Sequence, residues 1–209
     1  AANVRFFARN GVKGVFEQGA NPPGGGGEFA GLRAWVLARL LWDPGQDADA
    51  LIAEYLHGVY GRGGAALLRY VQALQRLVTE QNLHASIYDR PDAAYLTPEL
   101  LATAAACFDE AERLADDEAV LARIKRARLP IRFAQLAALP LDNPDRSRLL
   151  DAFEADAVAA GITQLSEHIP LARTMHYFRQ GIHLTHFARY DGGWSPFDNP
   201  WPQGRPSPA

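Results

Sequence analysis

Cysteine is almost absent from this sequence: Cys107 stands alone, so intrachain disulfides and thiolate zinc sites are excluded. Ala104, Phe108 and Ala111 surround it at helical spacing, which marks it as a small buried thiol. No run approaches the roughly 18–20 apolar residues that a membrane-spanning helix needs, so no membrane partner is expected. A signal-peptide pattern is missing too, and the first residues are Ala-Ala, so the chain is expected to be processed or cut from something longer. Positive charge is not in excess: 21 Lys and Arg against 24 Asp and Glu give a net −3, so no nucleic-acid partner is expected. Nucleophile elbow, Ser-His-Asp arrangement and HExxH motif are all lacking. The four glycines at 24–27 lack the GK[ST] ending of a phosphate-binding loop and read as a flexible loop. No cofactor is expected.

What remains is a chain of 209 residues with a hydrophobic fraction of 48%, enough for a substantial core. Its first forty-odd residues differ from the rest. Val4–Asn10 reads as the end of a helix closed by Gly11, and Val12–Phe16 as a short strand. A long loop, Glu17–Gly27, leads into a helix from Glu28 to about Trp42. The apolar positions of that helix (Phe29, Leu32, Trp35, Val36, Leu37, Leu40, Leu41, Trp42) surround the axis, so it is expected to be buried on most sides, with Trp35 and Trp42 in the core. This order is one βα unit preceded by the tail of another. A single strand cannot satisfy its own edges, so its partners are expected elsewhere.

From Asp43-Pro44 the pattern turns helical. Asp47 or Asp49 caps a helix striped by Leu51, Ile52, Tyr55, Leu56, Val59 and Tyr60, which Gly61 and Gly63-Gly64 stop. A second runs from about Ala65 to Leu83. Thr97-Pro98-Glu99 starts a third with a cap, a first-position proline and an acid in the first turn. Glu118–Leu139 forms a fourth, where Pro130 predicts a kink about one turn earlier. Asn143-Pro144-Asp145 opens a fifth that presents Leu150, Phe153 and Ala157 inward and ends at Gly161. Ile162–Ile169 is ambiguous, and Pro170 starts a last helix through Leu171, Met175 and Phe178. After about Tyr190 a proline-rich tail begins.

Glu17 and Gln18 are the candidate binding residues. They follow the predicted strand at its C-terminal end, where parallel α/β architectures place functional groups, and a carboxylate with an amide suits sugar hydroxyls. His176, His183 and His186 fall at i, i+7 and i+10, with His168 and Glu167 nearby. That spacing is no strong metal signature, so these residues read as an aromatic-polar interface with Tyr177 and Phe187, and no metal is expected. Arg123, Lys125, Arg126, Arg128 and Arg132 point in several directions and read as a solvated face paired with the preceding acidic helix.

Gly11-Val12-Lys13-Gly14-Val15-Phe16-Glu17-Gln18-Gly19, followed by Glu28-Phe29-Ala30-Gly31-Leu32 and Leu40-Leu41-Trp42-Asp43-Pro44, resembles the C-terminal part of the bacterial domain-of-unknown-function family 4838. Tyr60-Gly61, Ala122-Arg123-Ile124 and Leu129-Pro130-Ile131 fit the same pattern, over about residues 1–180. The Leu-Leu-Trp-Asp-Pro run also resembles a helix end in α-glucuronidase-type glycoside hydrolases. The resemblance implies a mainly α chain: residues 1–44 as the final βα unit of an incomplete (β/α)8 barrel, 45–190 as an α-helical bundle domain, and 191–209 as an irregular tail. It implies a glycoside-hydrolase-like, periplasmic or extracellular protein that acts on or binds polysaccharide. The catalytic carboxylates would lie on earlier strands, so no catalytic residue is expected here and the fragment alone is expected to be inactive. Carbohydrate is then the expected partner of the missing barrel, with Glu17 and Gln18 as subsite contacts and a homodimer contact expected on the helical domain. The alternative is a stand-alone helical interaction or scaffold module without catalytic activity.

Overall fold

The computed structural model describes residues 2–17, 24–25, 27–85, 89–90, 93–166 and 169–182. They form α1 (Ala2–Arg9), α2 (Ala30–Trp42), α3 (Ala48–Tyr60), a short 3-10 turn (Gly61–Gly63), α4 (Gly64–Glu80), α5 (Pro98–Arg113), α6 (Glu118–Ala138), α7 (Arg146–Ala159) and α8 (Leu171–Arg179). One antiparallel hairpin, β1 (Gln164–Ser166) against β2 (Ile169–Pro170), precedes α8 and resolves the ambiguous stretch.

The helix starts follow local chemistry. Asp47 accepts from the N–H groups of Asp49 and Ala50, Thr97 from Leu100 at 3.2 Å, and Asp117 from Val120 at 2.7 Å. Each such cap contributes about 1 kcal/mol by satisfying a donor that the helix itself cannot. The ends follow a shared rule as well. At the close of α1, Gly11 adopts φ 71°, its N–H donates to Ala8, and the Val12 N–H reaches back to Phe7. The same paired bonds close α7 and α8 at Gly161 and Gly181, whereas α4 uses Asn82. α6 runs through Pro130 as one helix.

Helices α3 to α6 enclose the larger core, centred on Leu56, Leu67, Phe108 and Ile124, none of which is accessible to solvent. The α3–α4 junction is tight because Gly63 and Gly64 carry no side chains. A Cβ on Gly63 would stand 2.9 Å from the Ala111 carbonyl oxygen, and one on Gly64 would meet the backbone of Leu56. Two helix ends can therefore press against α5 and α6. A second core of Leu150, Phe153, Met175 and Phe178 lies between α6, α7 and α8, so α6 serves both.

Arg146 at the start of α7 is buried, 5% exposed, and braces this second core. Its guanidinium donates to the carbonyls of Leu136 at 2.8 Å and Leu139 at 3.2 Å, and to that of Phe178 at 2.9 Å. Those carbonyls end α6 and α8, where the helix dipole is negative and a cation is stabilising. Burial pulls the Arg146 pKa down from its ordinary value, although the side chain keeps these three acceptors.

The N-terminal residues depart from the sequence reading in two respects. Val12–Phe16 joins no ladder among the described residues, and residues 11–17 are all exposed, so the expected strand is not formed. Among the described residues its backbone donors and acceptors have no neighbouring strand to meet. α2 is not buried all round either: Leu32 and Leu40 are inside, Trp35, Val36 and Leu37 are half-buried, and Trp42 is 88% exposed. Trp42 is thus not a core residue. α2 packs on α3, and its face around Leu41 and Trp42 stays exposed. Trp35 does pack, its ring centroid 5.6 Å from that of Tyr55 and the Arg39 guanidinium 5.0 Å above it.

Candidate functional site

Glu17 lies exposed at the end of the 12–17 segment, and Gln18 falls outside the described residues. The structure therefore does not show the two expected contacts together. What it does show is how the downstream end of their loop is held. The Thr163 N–H donates to the Gly24 carbonyl at 2.7 Å, and Gly25 makes a parallel bridge to Gln164 of β1. Gly24 has φ 75°, and a Cβ there would collide with the Thr163 side chain. Only glycine admits so close an approach.

Four residues on, the chain enters the larger core. Phe29 takes a left-handed conformation, φ 46° and ψ 38°, immediately before α2. A non-glycine residue there is strained by about 1 kcal/mol or more. The surrounding rings hold it: Phe29 stacks on Phe108 at 6.2 Å and meets Tyr60 edge-on at 6.1 Å. The reversed backbone leaves Glu28 beside Tyr70, whose hydroxyl donates to the Glu28 carboxylate. Burial, followed by the Glu28 charge, drives the Tyr70 pKa far above its ordinary value, so this hydroxyl keeps its proton and remains a donor. Sequence reading missed this pair, because residues 28 and 70 carry no motif and meet only through the fold.

The LWDP corner has its own logic. Asp43 accepts from the Gly45 N–H at 2.9 Å, an Asx-type turn that closes α2. Arg5 of α1 donates to the carbonyls of Pro44 and Gln46, both at 3.0 Å. These bonds, with the small core of Val4, Leu40 and Leu51, join α1 to α2 and α3. Phe6, Phe16 and Trp42 remain outside it, 62%, 89% and 88% exposed.

The basic run of α6 is engaged with its neighbours. Arg128 pairs with Asp109 at 2.6 Å and Glu112 at 2.9 Å on α5, Arg132 with Asp156 on α7, and Arg123 and Arg126 donate to the carbonyls of Val59 and Ala160. Lys125, Arg126, Arg128 and Arg132 line one cleft of about 580 Å³. His176 is exposed and contacts Tyr177 edge-on at 5.1 Å, while His168, His183 and His186 lie outside the described residues. Among the described residues no group of three His, Cys, Asp or Glu could hold a metal. Cys107 is a buried thiol, its pKa raised by burial.

These features define a mainly helical protein whose N-terminal α1–loop–α2 unit is pinned to a helical body and leaves aromatic residues exposed. Residues 1–72 match the model of a family described as Domain of unknown function (DUF4838). The match spans α1, α2, α3 and the first half of α4, a shorter stretch than the resemblance read from the motifs. No curated protein and no solved structure matches the chain.

Proposed function

We propose that this chain is the C-terminal part of a glycoside-hydrolase-like protein, and that its helical body positions the loop following the last strand of a (β/α)8 barrel. In this reading residues 1–44 are the barrel's final βα unit and Val12–Phe16 is its last strand, paired when the barrel is whole. The observation that carries the reading is the opposition between residues 1–44 and the rest. Exposed Phe6, Phe16 and Trp42 are the kind of apolar surface that a further layer of structure covers, whereas the downstream end of the Gly-rich loop is already fixed at Gly24, Gly25, Glu28 and Phe29. A barrel places its functional groups on such loops, so holding one end rigid orders the wall of a sugar site. Glu17, with Gln18, would bind a sugar hydroxyl, and a pair of carboxylates on earlier strands would perform the hydrolysis. Such a protein would be exported to meet polysaccharide.

Amide hydrogen exchange on the protein with its upstream region tests this. Residues 12–16 should exchange quickly in the present chain and become strongly protected when the upstream region is present. Equal, rapid exchange in both would reject the barrel and favour a helical interaction module. In the same protein Glu17→Gln should lower glycan affinity or turnover by about tenfold, the worth of one or two hydrogen bonds to a sugar. Unchanged values would remove Glu17 from the site.

A further inference from the structure

A recess of about 390 Å³ opens between α4, the segment before α5, and α6. Its walls are apolar, with Leu74 and Leu77 on one side, Pro130 and Ile131 on another and the Tyr95 ring at the rim, and its polar end is Glu28 with Tyr70. This volume falls in the range of small-molecule sites, which are mostly apolar with a few placed polar groups. Charge decides the class of ligand. Among the described residues no Lys, Arg or His lines the recess, and Glu28 forms no ion pair. Tyr70 supplies one hydrogen bond to Glu28 but no charge, since its hydroxyl keeps its proton. A carboxylate at the end of an apolar pocket is satisfied best by a cation that brings its own apolar body.

We propose that this recess binds a small organic cation, an ammonium group carried on an alkyl or aryl body, with the ammonium against Glu28 and the body along Leu74, Leu77 and Ile131. The cleft beside α6 is a poorer candidate, because its arginines already serve carboxylates and the carbonyl at the end of α7. Nothing in the recess depends on the barrel or on Glu17, so the site stands or falls separately from the proposed hydrolase.

Titration of the chain with 2-phenylethylammonium, with 2-phenylethanol as its neutral counterpart, tests the assignment by calorimetry and by methyl chemical shifts of Leu74 and Ile131. The ammonium should bind saturably and about tenfold or more tighter than the alcohol, as for a partly desolvated charge pair. Glu28→Gln keeps an acceptor for Tyr70 and should remove the preference. Val78→Trp, at an exposed position on the recess lining, should block both ligands without disturbing the core. Equal binding of alcohol and ammonium, a preference that survives Glu28→Gln, or the absence of saturable binding would each overturn the proposal.

Discussion

The two ends of α2 belong to different worlds. At its start Phe29 is sealed among Phe108, Tyr60 and Tyr70, strongly enough to hold a left-handed backbone. At its end Trp42 is 88% exposed. α1 and α2 share with α3 a small core of Val4, Leu40 and Leu51, whereas α3 to α6 enclose a cluster that reaches zero accessibility at several positions. Two aromatic residues thirteen positions apart thus do opposite things. Hydrophobic patterning reports which surfaces want to be covered, and the fold decides which of them find cover within the described residues.

The sharpest way to break this comparison is alkali. Burial pushes the Tyr60 hydroxyl up to about 12, whereas the unfolded chain ionises it near 10.0. A raised folded pKa means stability that is present below pH 10 and is lost as pH rises towards 12. The helical body should therefore unfold cooperatively in that window, with Tyr60 and Tyr70 ionising only as it does. Far-ultraviolet dichroism recorded alongside the part of the tyrosine absorbance near 295 nm that Tyr60→Phe removes checks this, and ionisation of Tyr60 ahead of helix loss would contradict the burial described here.

A pair of substitutions sharpens the contrast next. Phe108→Ala should cost about 3–5 kcal/mol by urea unfolding, since it empties the centre of the core. Trp42→Ala should change stability by no more than about 0.5 kcal/mol in this chain. A large loss from Trp42→Ala would mean that the exposed end of α2 has cover after all. Smaller than the Phe108 loss, Gly61→Ala should cost about 1–2 kcal/mol. The position has φ 53°, and a Cβ there would collide with the Asp116 carboxylate that accepts the Arg62 N–H at 3.0 Å. Comparison with Gly58→Ala, a helical position with open space around it, isolates the strain.

Much of the helical body was legible because its signals are local. Asp47, Thr97-Pro98-Glu99 and Gly161 act within one turn of their own positions, and the stripe of α3 needs only helical spacing to be read. What the sequence left open shares a cause as well. Whether Val12–Phe16 pairs, or Trp42 is covered, depends on atoms distant in sequence, and period alone says nothing about them. Glu28 with Tyr70, and Gly24 with Thr163, are separated by 42 residues or more and carry no signature. The pairing of α6 with the acidic helix before it was legible, as Arg128 shows against Asp109 and Glu112, whereas Arg126 and Arg132 swing towards acceptors on α7 that the local sequence does not reveal. Of the candidate site, nothing in the sequence marks the contact of Gly24 with Thr163.

Arg146 carries one more consequence. A single guanidinium joins the last turns of α6 and α8 to the first residue of α7, so these three helices cannot fray one at a time. Local opening of the C-terminal region should be all-or-none, a unit that detaches whole or stays. With Arg146→Met that unit should split, and native-state exchange would then record α8 opening at lower denaturant than α7, where the parent chain shows one shared transition.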